Sequence, residues 1–261
     1  MEINKKLNGW VSYTCNDKFV DGVICLKKSL VYVKSKYDLY CMVTDGVTKK
    51  GRESLEMHGI KLIDVEKIHI KRTEGIKDRY KENSWMMFTK LNLWRQVQFE
   101  SLIYLDADMI FVQNSDELIT QLVNNSNINF AAASHVGGNE GIQAGLMFVR
   151  PNLEVFNDLI EEVESEEYDN THSDQSFINW YFTKNKMWAE IPQTYNVLQK
   201  RVSFGANFNN IKIYHYNGQK PWINPKINAK DSSSWKMGKN LEYIYWQYIS
   251  NLYNIKKEKR P

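Results

Sequence analysis

The chain has 261 residues, long enough for one sizeable core, and its 43% hydrophobic and 25% charged content is that of a soluble globular protein rather than a disordered one. A net charge of +3 from intermixed acids and bases leaves no nucleic-acid footprint, and no apolar stretch approaches the ~20 residues that span a bilayer. Three cysteines without a Cys-x-x-Cys pair argue against a disulfide framework or a zinc site, and Met1 to Asn8 lacks the apolar core of a signal peptide, so the expected compartment is the reducing cytoplasm.

In chain order, Trp10 to Cys15 reads as a short buried strand that stops at Asn16-Asp17, a good helix N-cap pair. An amphipathic helix follows through Val20, Val23, Ile24, Leu26, Leu30 and Val31. Leu39 to Thr44 is a second strand ending at the turn pair Asp45-Gly46, and helix-like residues lead to a third strand at Ile60 to Val65. This alternation predicts parallel strands with crossover helices, the doubly wound α/β design. Residues 67–83 are polar and mostly charged, the pattern of a long mobile loop. Ser84 can cap a helix carrying Met87, Leu91 and Trp94 at helical spacing, and the apolar run Leu102 to Val112 is broken only by two aspartates. A helix is predicted from Ser115 to about Val123, strands at Ile128 to Ala133 and Gly145 to Val149, and a helix from Asn152 to about Glu166. Beyond these lie a strand at Ile211 to Tyr216 and, from about Lys239, a C-terminal helix with Tyr243, Tyr245, Trp246, Tyr248 and Tyr253 and a basic tail. Without a repeat or a Pro/Gly-rich linker, residues 1–261 read as a single domain.

The chemistry concentrates at Asp106-Ala107-Asp108. In an extended backbone, residues i and i+2 face one side, so both carboxylates can point at one object. Two unpaired carboxylates among Ile103, Leu105, Met109 and Ile110 are costly to bury, and a divalent cation removes that cost, because carboxylate oxygens are natural ligands of Mn²⁺ or Mg²⁺. The bare pattern is weak: with 13 aspartates in the chain, chance supplies about 0.6 of such a pair. Its place raises it, since an apolar strand late in a series of βα units runs straight into the acids, and open α/β sheets bind ligands beyond the carboxyl ends of their strands. The alternative is a strand-end acid that caps a helix or pairs with a lysine.

Further segments, in order, complete a resemblance to glycogenin-like members of glycosyltransferase family 8, running from about Trp10 to Trp222. Thr14-Cys15-Asn16-Asp17-Lys18-Phe19 is similar to the family's Thr-x-Asn-Asp-x-Tyr, where the strand end and helix start hold the nucleotide base and ribose; Tyr13, Thr14, Cys15, Asn16 and Phe19 are thereby implied in donor binding. Phe88-Thr89-Lys90-Leu91 resembles a Thr-Lys-Leu helix whose lysine, here Lys90, reaches the donor. In the family, Asp106-Ala107-Asp108 corresponds to the manganese and diphosphate motif. Gln143-Ala144-Gly145 stands where the family has Asn-Ser-Gly, whose amide and hydroxyl approach the donor sugar, so Gln143 and Ala144 are a departure at the sugar. Ser173-Asp174-Gln175 matches an Asp-Gln pair near the anomeric carbon. His215, Gly218, Lys220, Pro221 and Trp222 resemble the family's His…Gly…Lys-Pro-Trp signature, with His215 completing the metal sphere of Asp106 and Asp108 and Gly218 and Lys220 meeting the phosphates.

The resemblance implies a GT-A type fold, a Rossmann-like mixed sheet flanked by helices. It also implies a Mn²⁺-dependent (or Mg²⁺-dependent) hexosyltransferase that moves a hexose, glucose first, from a UDP-sugar to a hydroxyl of a glycan or protein with retention of configuration. Asp174, Gln175 and Lys90 are the implied catalytic residues. The tyrosine pair that glycogenin glucosylates on itself is missing from Tyr195 to Ser203, so the acceptor is expected to be another molecule. A homodimer through the C-terminal helix fits the family's habit. The competing readings are a non-catalytic nucleotide-sugar-binding relative and a sugar nucleotidyltransferase, the second disfavoured because no Gly-rich phosphate loop follows the first strand.

Overall fold

The computed structural model describes residues 6–72, 74–77, 81, 84–134, 141–165, 167–198, 210–218, 220 and 222. The C-terminal aromatic helix and basic tail expected from about residue 239 lie outside them.

The first strand, β1 (Leu7–Thr14), is buried along six consecutive positions, as a run of Trp, Val, Ser and Tyr sandwiched between two layers must be. Its side chains alternate between two cores: Trp10 packs with Ile24 and Leu26 on one face, and Val11 and Tyr13 pack with Met42 and Trp94 on the other. At its end the Asn16 side chain accepts the Lys18 N–H at 3.0 Å and starts a 3₁₀ turn over Asp17–Phe19 that runs into α1 (Val20–Tyr32). The order continues with β2 (Leu39–Val43), α2 (Lys49–Met57), capped by Thr48, and β3 (Lys61–Asp64).

A short helix α3 (Ser84–Phe88) passes into a 3₁₀ stretch, Thr89–Arg95, where one continuous α-helix was predicted. Strand β4 (Phe99–Leu105) then enters the acid pair. Here the expectation of a single extended run from Leu102 to Val112 is corrected. The Met109 N–H bonds the Asp106 carbonyl at 3.2 Å and closes a turn, after which β5 (Met109–Phe111) joins a different sheet. The two carboxylates converge because the chain turns there, not because they sit on one strand face.

The remainder comprises α4 (Asp116–Val123), β6 (Phe130–Ser134), β7 (Ile142–Val149), α5 (Leu153–Glu162), α6 (Asp174–Lys184), β8 (Ala189–Ile191), β9 (Val197–Leu198) and β10 (Ile213–His215). Among the described residues, seven strands form a mixed sheet in the order β3-β2-β1-β4-β7-β6-β8. The β1 pairings with β2 and β4 are parallel, whereas β7 runs antiparallel to both β4 and β6. Strand order reverses at β1, so a crevice opens beyond the carboxyl ends of β1 and β4. Because β7 is antiparallel, it brings its amino end, Gln143 and Ala144, to that same edge.

A second small sheet, β5-β10-β9, sits over this edge. Its register sets His215 opposite Met109, and the Tyr216 N–H bonds the Asp108 carbonyl at 2.8 Å. Gly22 in α1 permits close approach to the acid turn, since a Cβ there would stand 2.5 Å from the Ala107 carbonyl oxygen. The described part of the polar 67–83 stretch is bonded onto the body: the Lys71 and Arg72 amides donate to Glu164 at 2.7 and 2.8 Å, and the Arg72 guanidinium donates to the Tyr168 carbonyl. No helix among the described residues is long and apolar enough to cross a membrane.

Candidate active site

A cavity of about 520 Å³ occupies the crevice, a size typical of ligand sites. From the strand ends it takes Tyr13, Thr14 and Cys15 of β1 and the Asp106-Ala107-Asp108 turn after β4; Gln143 and Ala144 come from β7, and Asp174 and Gln175 from the start of α6. Phe19, Lys90, His215 and Lys220 complete the set of sequence-predicted residues gathered there. Two predicted donor residues do not line it. The Asn16 side chain caps the turn before α1, and Gly218 also lies off the wall.

Asp106 Oδ2 and Asp108 Oδ1 approach His215 Nε2 at 3.8 and 3.1 Å. One ligand atom from each residue lies within 4.8 Å of the other two. Two carboxylate oxygens and an imidazole nitrogen form a donor set suited to Mn²⁺, so the residues present fit a divalent cation. Burial pushes the Asp108 carboxyl up, but His215 and Lys220 beside it outweigh burial and hold it well below the usual carboxylate range. The Lys220 ammonium donates both to Asp108 Oδ2 and, at 2.6 Å, to the Tyr216 carbonyl.

Lys90 is the second charge centre. Its buried ammonium pairs with Asp174 Oδ2 at 2.7 Å and Asp106 Oδ1 at 3.2 Å and lies 5.0 Å from the centre of the Tyr104 ring. Burial alone would lower its pKa, but the two carboxylates more than reverse this and keep it charged. The Tyr104 hydroxyl donates to Asp106 Oδ1 at 2.6 Å, so one oxygen of Asp106 is engaged by Tyr104 and Lys90 while the other faces His215. The Asp174 carboxyl is shifted upward, burial outweighing the opposing pull of Lys90. Gln175 Oε1 accepts the Ala144 N–H at 3.3 Å, tying α6 to the β7 edge.

Two residues that line the cavity, Ser173 and Asn217, each carry a buried side-chain oxygen, Oγ and Oδ1, that has no hydrogen-bond partner among the described residues. An unpartnered buried polar atom costs on the order of 1–3 kcal/mol, so these two positions beside the cavity carry an unmet hydrogen-bonding demand. Ser173 adds backbone strain, with φ +56° and ψ −124° immediately before α6. Sequence reasoning missed Asn217, Thr171 and Met87 on the wall, and Asn196, which bonds Gln143 and His215. Only the resemblance pointed near any of these, through the segments that flank them.

The model of the family described as glycosyl transferase family 8 matches residues 10–225. The chain belongs to this family. Among curated family 8 relatives, it is similar to glycogenin-1 of Caenorhabditis elegans, 28% identical over 233 residues that cover 82% of this chain and 50% of the relative. It is also 28% identical to a UDP-glucuronate:xylan alpha-glucuronosyltransferase of Arabidopsis thaliana over 220 residues, 78% of this chain and 30% of that one. The chain therefore spans half the length or less of these relatives. The fold is that of solved GT-A glycosyltransferases. The apo glycosyltransferase GlyE of Streptococcus pneumoniae superposes with a TM-score of 0.66 at 20% identity, covering 98% of this chain and 65% of GlyE. The galactosyltransferase LgtC, solved with donor and acceptor sugar analogues, gives 0.62 at 14% identity, covering 92% of this chain and 96% of LgtC.

Proposed function

We propose that the chain is a metal-dependent, retaining hexosyltransferase that takes a hexose from a UDP-sugar, UDP-glucose first, and attaches it to a hydroxyl of a glycan or protein. The observation that carries this reading is the convergence of Asp106, Asp108 and His215 at a cavity that Lys90 and Lys220 also line. Asp106, Asp108 and His215 would hold Mn²⁺ or Mg²⁺, which supplies Lewis-acid neutralisation of the diphosphate.

The chain's own cations act on the same charge. Lys220 pairs with Asp108 and Lys90 with Asp106, so both cations are in place before a donor arrives, the preorganisation that makes electrostatic stabilisation effective. In the reaction the bond between the anomeric carbon and the phosphate oxygen breaks, UDP leaves with its electron pair, the acceptor oxygen bonds the anomeric carbon, and the hydroxyl proton is released. Asp174 and Gln175 lie beside the sugar position implied by the family, with Asp174 the only acid of the two. Its ion pair with Lys90 suits it to orienting sugar hydroxyls and to stabilising positive charge at the anomeric centre. Tyr13, Thr14, Cys15 and Phe19 line the end implied for the nucleotide, where the half-buried Phe19 ring meets Trp222 edge-on at 6.1 Å.

The test is UDP release from a panel of UDP-sugars with and without Mn²⁺, for the wild type and Asp106→Asn. The expected result is metal-dependent release that the substitution reduces by at least about 10²-fold. Release that survives excess chelator would sink the metal assignment, and a chain that binds UDP but never releases it from any donor would favour the non-catalytic reading. Pyrophosphate release from a nucleoside triphosphate would favour the nucleotidyltransferase.

A further inference from the structure

Asn196 is 4% exposed, sits just before β9 and bonds two residues that line the cavity. It has two neighbours: its Nδ2 donates to Gln143 Oε1 at 2.8 Å, and its Oδ1 meets His215 Nδ1 at 2.9 Å. Amide and imidazole orientations are normally ambiguous, because oxygen and nitrogen, or the two ring nitrogens, can exchange roles. Here the ambiguity is removed by one group that cannot exchange. The Gly145 backbone N–H can only donate, and it donates to Gln143 Oε1 at 2.7 Å.

The direction of every later bond follows from that one. The Gln143 atom facing Gly145 is an acceptor, so the Asn196 atom facing it is the NH₂. The other end of the Asn196 amide is then the oxygen, and an oxygen facing His215 Nδ1 requires that nitrogen to carry the proton. With the proton on Nδ1, Nε2 is the nitrogen left to meet a cation, and it lies 3.1 Å from Asp108 and 3.8 Å from Asp106.

We infer that Asn196 is a positioning residue that keeps a proton on His215 Nδ1, through a one-way chain of donors running from Gly145 through Gln143, so that Nε2 is the nitrogen left to meet a cation at the acid pair. The inference rests on the reading of Asp106, Asp108 and His215 as a metal site. It also gives Gln143 a second task. Its amide oxygen accepts from both Gly145 and Asn196, so that oxygen sets the direction of the chain, and only the rest of the side chain faces the cavity. Gly145 is part of the same device, because a Cβ there would stand 2.6 Å from His215 Cε1 and 2.9 Å from Gln143 Oε1.

Two measurements test it. The first is the ¹⁵N spectrum of His215 in metal-free protein, with the resonances assigned by their loss in His215→Gln. Nδ1 is expected to carry a proton, and an unprotonated Nδ1 in the wild type would overturn the inference. The second is Mn²⁺ affinity in the presence of UDP, read by electron paramagnetic resonance, for Asn196→Leu and Asn196→Asp. Leucine keeps the bulk but loses the acceptor, and metal affinity should fall 10–100-fold. Aspartate loses the donor to Gln143 but restores an acceptor for Nδ1–H, and should bring affinity back to within about tenfold of wild type. Unchanged affinity in Asn196→Leu, or equal loss in both variants, would show a merely structural role and overturn the inference. If the wild type binds no Mn²⁺ yet shows the Nδ1 proton, lost in Asn196→Leu, the metal reading fails while the positioning by Asn196 stands.

Discussion

Gly145→Ala is the smallest change aimed at the centre of the site. A methyl at this position would approach His215 Cε1 to 2.6 Å, about 0.8 Å inside the 3.4 Å at which ordinary contact begins. The ring has little room to yield. Its Nδ1 is held by Asn196 at 2.9 Å, and its backbone is paired on both sides, with Met109 of β5 and Leu198 of β9. The backbone of Gly145 is itself held, its carbonyl accepting the Asp106 N–H at 2.9 Å and its N–H bonded to Gln143. The strain therefore falls on the geometry between His215, Asp106 and Asp108. Overpacking of this kind destabilises by ~1–3 kcal/mol, and a displacement near 1 Å at a catalytic group lowers turnover by about 10²-fold. Urea denaturation reads the first effect, and UDP release titrated with Mn²⁺ reads the second. A variant with wild-type turnover and unchanged Mn²⁺ saturation would refute the reasoning, because it would mean that the ring can move without consequence.

Lys90→Met leaves the Asp106 and Asp174 carboxylates without their shared cation. The expected loss is ~3–5 kcal/mol near neutral pH. Asp174 already has an upward-shifted pKa from burial and moves further up without Lys90, so its neutral form relieves the penalty as pH falls through that raised value. Urea midpoints at pH 5.5 and 8 should show the smaller loss at pH 5.5, and equal losses would contradict the account. Gly22→Ala should lower the melting temperature although alanine is the better helix former by ~1 kcal/mol, because its methyl would meet the Ala107 carbonyl at 2.5 Å and the Trp222 ring at 3.0 Å; a higher melting temperature would refute it. Incubation with UDP-glucose and Mn²⁺ should leave the intact mass unchanged, since the tyrosine pair of the self-glucosylated segment is missing between Tyr195 and Ser203; added hexose units would contradict this.

The βα alternation of the first third was legible because each strand there is a short apolar run closed by a polar turn signal, Asn16-Asp17 or Asp45-Gly46. The acid pair was legible as chemistry but not as geometry. No Gly or Pro marks the turn between Leu105 and Met109, and the apolar residues continue on both sides, so the run read as one strand although it feeds two sheets. The passage from α to 3₁₀ at Thr89 was hidden because both helices leave similar apolar spacing over so few residues. Asn196 carried no signal at all. Its importance comes from contact with Gln143 and His215, far away in the chain, and an asparagine after a tyrosine is locally unremarkable.

The small sheet β5-β10-β9 joins parts of the chain that are far apart in the order of synthesis. Asp108 and Lys220 touch although 112 residues separate them, and His215 reaches the acids only by pairing with Met109. While the ribosome is still producing α5 or α6, the residues of the acid turn and Lys90 have been made but His215 and Lys220 have not. A growing chain therefore holds Asp106 beside Lys90 and Tyr104, whereas Asp108 gains His215 and Lys220 only later. The group of Asp106, Asp108 and His215 is thus incomplete in nascent chains until nearly all of the described fold has emerged.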